Sequence, residues 1–226
     1  MFSRDNAALL FDIDGTLVDT DRLHLEAFNR VFGPLGQTFD AARFRAELQG
    51  FSMTSIMDRL LGNEPEPRRH EIMAEKEATF RRLAEKGLEP MPGLLALLDR
   101  ADEAGLPMAA VTNAPRLNAD LILDALGIRH RFTAIVIGDE LAHGKPHPLP
   151  YLEGLRLTGA RPDLSVAFED SISGVTSAST AGIATVGIMT SLTGQRLLAA
   201  GATTVAQSYA EPALLAFIAA TTAGSR

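Results

Sequence analysis

Cysteine is absent from the 226 residues, which excludes disulfides and thiolate metal sites and suits a reducing cytoplasm. Basic residues are few: 21 Lys and Arg stand against 28 Asp and Glu, the formal charge is -7, and no basic cluster occurs. A nucleic acid or an anionic membrane surface is therefore not expected as the main partner. No apolar segment reaches membrane-spanning length. The opening stretch MFSRDNAALLFDID has neither the apolar core nor the small-residue cleavage site of a signal peptide. The Gly-rich phosphate cradle G-x-x-x-x-G-K-[ST] is missing too, which disfavours nucleotide hydrolysis of that kind. Repeats and low-complexity tracts are likewise absent. A soluble, cytoplasmic, globular protein with a small-molecule ligand is expected.

Short apolar, partly β-branched runs recur at Ala7–Ile13, Pro107–Val111, Thr133–Ile137, Ser165–Phe168, Ala184–Met189 and Thr203–Ala206, as strands buried on both faces do. Helical stretches alternate with them at Gly93–Ala104, Pro115–Leu126, Pro148–Leu157 and Ser171–Ala181, several opening on Pro or Ser and ending near Gly105, Gly127 and Gly182. The alternation predicts βαβ units and a parallel sheet. From Asp21 to about Lys86 no strand is legible, only helical spacing such as Leu25, Phe28 and Phe32, with one helix expected over Glu66–Lys86. The segment GLEPMPG that follows supplies a hinge. The expected organisation is an α/β core of residues 1–16 and 88–226 interrupted by an all-helical insertion at 17–87.

The chemistry gathers where the apolar runs end. LLFDIDGTLVDT places Asp12 and Asp14 two positions apart, on one side of an extended segment, before a turn permitted by Gly15. Paired carboxylates repel unless a cation lies between them, and with oxygen donors alone Mg²⁺ is the natural one. The second strand ends on Thr112 and Asn113 in AVTNA. Lys145 follows the third in GKPHP, and Glu169 and Asp170 end the fourth in AFEDS. Ligands of open parallel sheets bind beyond the carboxyl ends of the strands. Acids that take a hard metal, with a hydroxyl and an ammonium that take anionic oxygens, describe a phosphate-ester site.

DIDGTLVDT, VTNA, GKPHP and FEDSISGVTSASTAGI, in that order, resemble the four motifs of the haloacid dehalogenase (HAD) superfamily, in the branch with a helical cap inserted after the first motif. The similarity spans essentially the whole chain and is weaker in the cap. It implies a Rossmann-like core with an inserted all-helical cap. Within the branch, AAVTNAPRLNADLIL and FEDSISGV are most similar to sugar-phosphate phosphatases, with β-phosphoglucomutase and phosphoglycolate phosphatase as near relatives. The resemblance implies a Mg²⁺-dependent phosphomonoesterase acting on a small phosphorylated metabolite; a monomer is expected, although the sequence itself is silent on oligomeric state. Asp12 would be the nucleophile that forms an aspartyl-phosphate, and Asp14 the general acid and base. Asp12, Asp170 and the main-chain carbonyl of Asp14 would hold Mg²⁺, with Glu169 as a further ligand or an outer partner. Thr112, the amide of Asn113, Lys145 and Gly15 would surround the phosphoryl oxygens.

Other residues carry weaker warrants. His24 lies where the family commonly has a cap histidine, which orients the acid-base aspartate or simply packs the hinge. The cap stretch GFSM begins at Gly50, a substrate-contact position by resemblance, and ends on Met53, where the mutase branch has an arginine for a second phosphate. Ala114 and Pro115 stand where that branch has further contacts to the distal phosphate, and Arg116 is the nearby residue able to compensate. Hydrolysis is thus favoured, with the phosphomutase and phosphoglycolate phosphatase as alternatives. Asp139 is a candidate to position Lys145. Asp19 and Thr20 are candidate helix caps. His143 and His147 are not expected to form a helical zinc pair, because Pro146 lies between them.

Overall fold

The computed structural model describes residues 6–49, 51 and 53–223. The chain runs β1 (Leu9–Phe11), α1 (Asp21–Phe32), α2 (Ala41–Glu47), α3 (Met53–Leu61), α4 (Glu66–Ala84), α5 (Leu94–Ala104), β2 (Met108–Thr112), α6 (Arg116–Ala125), β3 (Ala134–Ile137), α7 (Leu149–Thr158), β4 (Val166–Glu169), α8 (Ile172–Thr180), β5 (Ala184–Ile188), α9 (Gly194–Ala199), β6 (Thr204–Ala206) and α10 (Pro212–Ala223). It divides into two compact units, Met1–Asp19 with Glu89–Arg226, and Thr20–Leu88. These crossings fall three residues and one residue later than the expected 16/17 and 87/88. The reason is local: the Leu17 carbonyl accepts from the Met91 amide at 2.9 Å and Val18 bridges to both Asp14 and Pro90, so residues 17–19 stay with the first unit.

In that unit all six strands are parallel, in the order β3-β2-β1-β4-β5-β6. The order reverses between β1 and β4, and a crevice forms beyond the carboxyl ends at such a switch point. Side chains alternate between two buried faces. On one, Phe11 stacks on Phe168 with centroids 4.6 Å apart. On the other, Leu10, Ala109, Val111 and Ala167 pack with Tyr151 and Leu155 of α7 and Ala178 of α8. Small residues let α7 lie close. A Cβ on Gly154 would meet Leu10 Cδ2 at 2.8 Å.

The first apolar run is shorter as a strand than its expected span of 7–13. The Ile13 carbonyl accepts from the amides of both Thr16 and Leu17, which turns the chain, and the strand is Leu9–Phe11. Asp12 still joins the ladder through its amide, and Asp14 lies in the turn that follows. β2 and β4 each extend one residue further than expected, to include Thr112 and Glu169. The sequence pattern had not distinguished α9 and α10.

The second unit contains α1 to α4 and, among its described residues, no strand. Phe28, Phe32, Phe39, Phe44, Met57 and Met73 form its core with Leu48, Ile56, Leu61 and Ile72, so the phenylalanines and methionines here are chiefly packing residues. α4 ends two residues before the expected Lys86, in a turn closed by the Gly87 amide on the Ala84 carbonyl. Among the described residues no helix is long and apolar enough to cross a membrane.

Candidate active site

Strand register builds the site. Phe11 is level with Ala110 on β2 and with Phe168 on β4, so Asp12, Val111 and Glu169 share the next level, where β1 gives out. The ladder continues that far, since the Asp12 amide donates to the Phe168 carbonyl at 3.0 Å. Lys145 unites the three strands at this level. Its ammonium donates to Asp12 Oδ1 at 2.7 Å, to the Val111 carbonyl at 2.7 Å and to Glu169 Oε1 at 2.5 Å. An ammonium has three hydrogens, and each has an acceptor here.

Asp12, Lys145, Glu169 and Asp170 are all buried. Asp12, Glu169 and Asp170 offer three carboxylate oxygens within 4.8 Å of one another. With one ammonium among them, the ionised group carries two negative charges in excess, which a divalent cation would balance. The oxygen-only donor set suits a hard ion such as Mg²⁺. Burial pushes the Asp12 carboxyl up to about 7 against the pull of the Lys145 ammonium, and Glu169 and Asp14 add to the rise. Burial draws the Lys145 ammonium down, but Asp12 and Glu169 outweigh it and leave the group above its ordinary value.

Asp14 is half-buried on the turn after β1. Gly15 has φ +79°, and a Cβ there would fall 2.1 Å from Asp170 Oδ2, so the turn can approach Asp170 only without a side chain. Thr190 Oγ1 donates to the Gly15 carbonyl at 2.5 Å, and the Tyr209 hydroxyl donates to the Thr16 carbonyl at 3.1 Å, clamping the turn from the loop after β5 and the segment before α10. Thr112 Oγ1 accepts from the Ala114 amide at 2.9 Å, which leaves the hydroxyl hydrogen to be donated. Ser171 caps α8, accepting from the Gly174 amide at 3.0 Å while donating to Glu169 Oε2 at 3.2 Å.

The structure thus brings together Asp12, Lys145, Glu169 and Asp170, with Gly15 packed against Asp170. The Asn113 side chain does something the sequence did not announce: its Nδ2 donates to the Lys145 carbonyl and its Oδ1 accepts from the Lys145 amide. It therefore positions the lysine loop, the part considered for Asp139, which lies exposed on the 3₁₀ turn Gly138–Glu140. Arg116 is exposed and forms a bidentate pair with Glu140, both bonds 2.7 Å. Thr20 occupies the N-cap position of α1 without a side-chain cap bond, and Asp19 is exposed.

Within the helical unit, His24 stacks on Phe80 at 3.9 Å between centroids, and its Nδ1 is 2.9 Å from Nζ of the buried Lys76. Lys76 also pairs with Glu77 and lies over the Phe28 ring. Gly50 lies outside the described residues. The His143 and His147 rings approach to 4.6 Å, a proximity that needs no helix. His147 Nδ1 accepts from the Leu149 amide, so the neutral ring carries its hydrogen on Nε2 and starts α7 rather than presenting a lone pair there.

Sequence reasoning missed Tyr151, Tyr209 and Thr190. The sequence has only two tyrosines, and both hydroxyls end on this site. The signal is the tyrosine itself, because a buried hydroxyl needs a partner.

Residues 9–188 match the family model of the haloacid dehalogenase-like hydrolases, and the chain belongs to that family. The fructose-1-phosphate phosphatase YqaB of Escherichia coli K12 is 32% identical over 183 residues, 80% of this chain and 96% of that protein. A phosphorylated carbohydrates phosphatase of Thermotoga maritima is 33% identical over 203 residues, 86% of this chain and 91% of its own length. Among solved structures, a CbbY variant from Rhodobacter sphaeroides in complex with xylulose 1,5-bisphosphate superposes with TM-score 0.82 at 31% identity, covering 93% of this chain and 96% of that one.

Proposed function

We propose that this hydrolase is a Mg²⁺-dependent phosphatase of small sugar phosphates, working through an aspartyl-phosphate on Asp12. The observation that carries the reading is the buried cluster at the sheet's switch point, where Asp12 shares an ammonium with Glu169 beside Asp170. The relatives named for phosphorylated carbohydrates support the substrate class. The helical unit Thr20–Leu88 takes the part of the cap, whose side chains choose among substrates.

In the first step a carboxylate oxygen of Asp12 attacks phosphorus, a new O–P bond forms, and the bond from phosphorus to the sugar oxygen breaks. Asp14 gives its proton to that oxygen as it leaves. Asp14 then takes a proton from water, whose oxygen attacks the aspartyl-phosphate and releases inorganic phosphate with Asp12 restored. Lys145 holds Asp12 Oδ1 and lends positive charge where the phosphoryl oxygens gather, and the Thr112 hydroxyl and Asn113 amide supply further donors. Asp12, Asp170 and the Asp14 carbonyl would hold Mg²⁺, which when bound neutralises the acid cluster and polarises the phosphoryl group.

The test is phosphate release across sugar phosphates, phosphoglycolate and nucleotides, in wild type, Asp12→Asn and Asp14→Asn. Asp12→Asn should keep its circular dichroism and fall to about a thousandth of wild-type turnover or less. Asp14→Asn should lose far more rate on sugar phosphates than on aryl phosphates, whose leaving groups need no proton. Near-wild-type rates for Asp12→Asn would overturn the reading.

A further inference from the structure

Glu169 is enclosed on every side by protein. Its Oε1 accepts from both Lys145 Nζ, at 2.5 Å, and the Tyr151 hydroxyl, at 2.7 Å; its Oε2 accepts from Ser171 Oγ. Behind it stands the backbone of α8, so close that a Cβ on Gly174 would fall 1.9 Å from the carboxylate. The carboxylate cannot retreat in that direction. Its remaining freedom is to turn toward Asp12 and Asp170, whose oxygens already lie within 4.8 Å.

Tyr151 opposes that turn. It sits on α7, packed in the core with Leu10, Ala109 and Val111, and alternation along β4 puts Glu169 on the same face as Ala167, the face α7 covers. The phenol is a neutral donor. Burial first, then the charge of Glu169 and Asp12, hold its proton on well above the usual tyrosine range. An apolar ring alone would fill the same space, so the hydroxyl is the informative atom.

We infer that Tyr151 is a positioning residue of the reaction: its hydroxyl fixes Glu169 as the counter-charge of Lys145 and keeps Glu169 from becoming a direct ligand of the bound cation. Lys145 then points at Asp12 with fixed geometry, and the cation is left to Asp12, Asp170 and the Asp14 carbonyl. The inference rests on the phosphatase reading for its kinetic arm alone.

The experiment pairs calorimetric titration of Mg²⁺, without substrate, with steady-state kinetics on the best sugar phosphate, in wild type, Tyr151→Phe and Leu155→Ala. Partners behind metal ligands commonly change affinity or activity by about 10- to 100-fold. Tyr151→Phe should bind Mg²⁺ more tightly by several-fold, because Glu169 is released to the cation, while kcat falls about tenfold and KM stays within about twofold. Leu155→Ala, a packing change on the same helix, should lower thermal stability and leave both Mg²⁺ affinity and kcat unchanged. Adding Glu169→Gln to Tyr151→Phe should abolish the tightening. Unchanged Mg²⁺ affinity and kcat in Tyr151→Phe, weakened Mg²⁺ binding in proportion to lost stability, or tightening that survives Glu169→Gln would each overturn the inference. If wild type hydrolyses no sugar phosphate, the functional reading fails and the calorimetric arm still decides this one.

Discussion

The Asn113 side chain grips the main chain of Lys145 at both ends of one residue, donating from Nδ2 to its carbonyl at 3.0 Å and accepting at Oδ1 from its amide at 2.9 Å. Gly138 and Gly144 close over the same Oδ1, where a Cβ on either would fall within 2.8 Å. The lysine loop is therefore indexed to the end of β2, and the ammonium reaches Asp12 because of it.

Asn113→Ala should release that loop. Two backbone groups lose their partners, at about 1–3 kcal/mol for each one left unsatisfied, and the ammonium loses its fixed approach to Asp12. Lower kcat, weaker inhibition by inorganic phosphate and an earlier urea midpoint are expected together. Asn113→Asp should be worse in rate than Asn113→Ala, since it faces the Lys145 carbonyl with a second acceptor. An unchanged phosphate inhibition constant in both would separate Asn113 from the site.

Gly174→Ala places a methyl into the Glu169 carboxylate. Overpacking of this kind costs about 1–3 kcal/mol, and the displaced Glu169 no longer holds Lys145, so activity should fall with stability. The cause is checked by a double-mutant cycle on urea unfolding. In a Glu169→Ala background, Gly174→Ala should cost at least about 1 kcal/mol less than in wild type, a coupling of the size seen for touching residues.

The metal-free protein should respond to pH through Asp12. Its carboxyl binds a proton more tightly folded, up to about 7, than at the ordinary 3.8. Folding therefore takes up a proton between those values. The stability this contributes is fully present below 3.8 and is lost as pH rises through about 7. With chelator present, wild type should lose stability relative to Asp12→Asn across that window, read as the difference in urea midpoints. Mg²⁺ should reverse the loss in wild type alone. A constant difference from pH 4 to pH 7 would contradict the burial-driven rise.

Hydrolysis should outrun phosphate migration. A mutase needs cationic groups for a second phosphate, and the Arg116 guanidinium is paired with Glu140. Given β-glucose 1-phosphate with a trace of the 1,6-bisphosphate, inorganic phosphate should accumulate faster than glucose 6-phosphate by phosphorus NMR. Glu140→Gln, which weakens the hold on Arg116, should strengthen inhibition by a sugar bisphosphate; no change there would separate Arg116 from recognition of a second phosphate.

The residue types at the ends of the apolar runs carried most of the chemistry, because in an open parallel sheet the groups that bind ligands gather beyond the carboxyl ends of the strands. Asp12, Thr112, Lys145, Glu169 and Asp170 were legible for that reason, as was the alternation that makes the sheet and the strand-free stretch that makes the helical unit. What the sequence could not contain was the strand order and register. Asp12, Val111 and Glu169 are far apart in the chain and meet only because β1 pairs with β2 and β4 at one level. The same holds for Tyr151 and Asn113: a hydroxyl or amide finds its partner across the fold, and its local sequence reads as ordinary helix or turn. The end of β1 was misplaced for a related reason, since the Ile13 carbonyl is drawn into a turn by the amides of Thr16 and Leu17. Local composition determined which groups stand at the sheet's edge, and tertiary packing decided which of them touch, because hydrogen-bond geometry depends on ångström-scale placement that no one-dimensional pattern encodes.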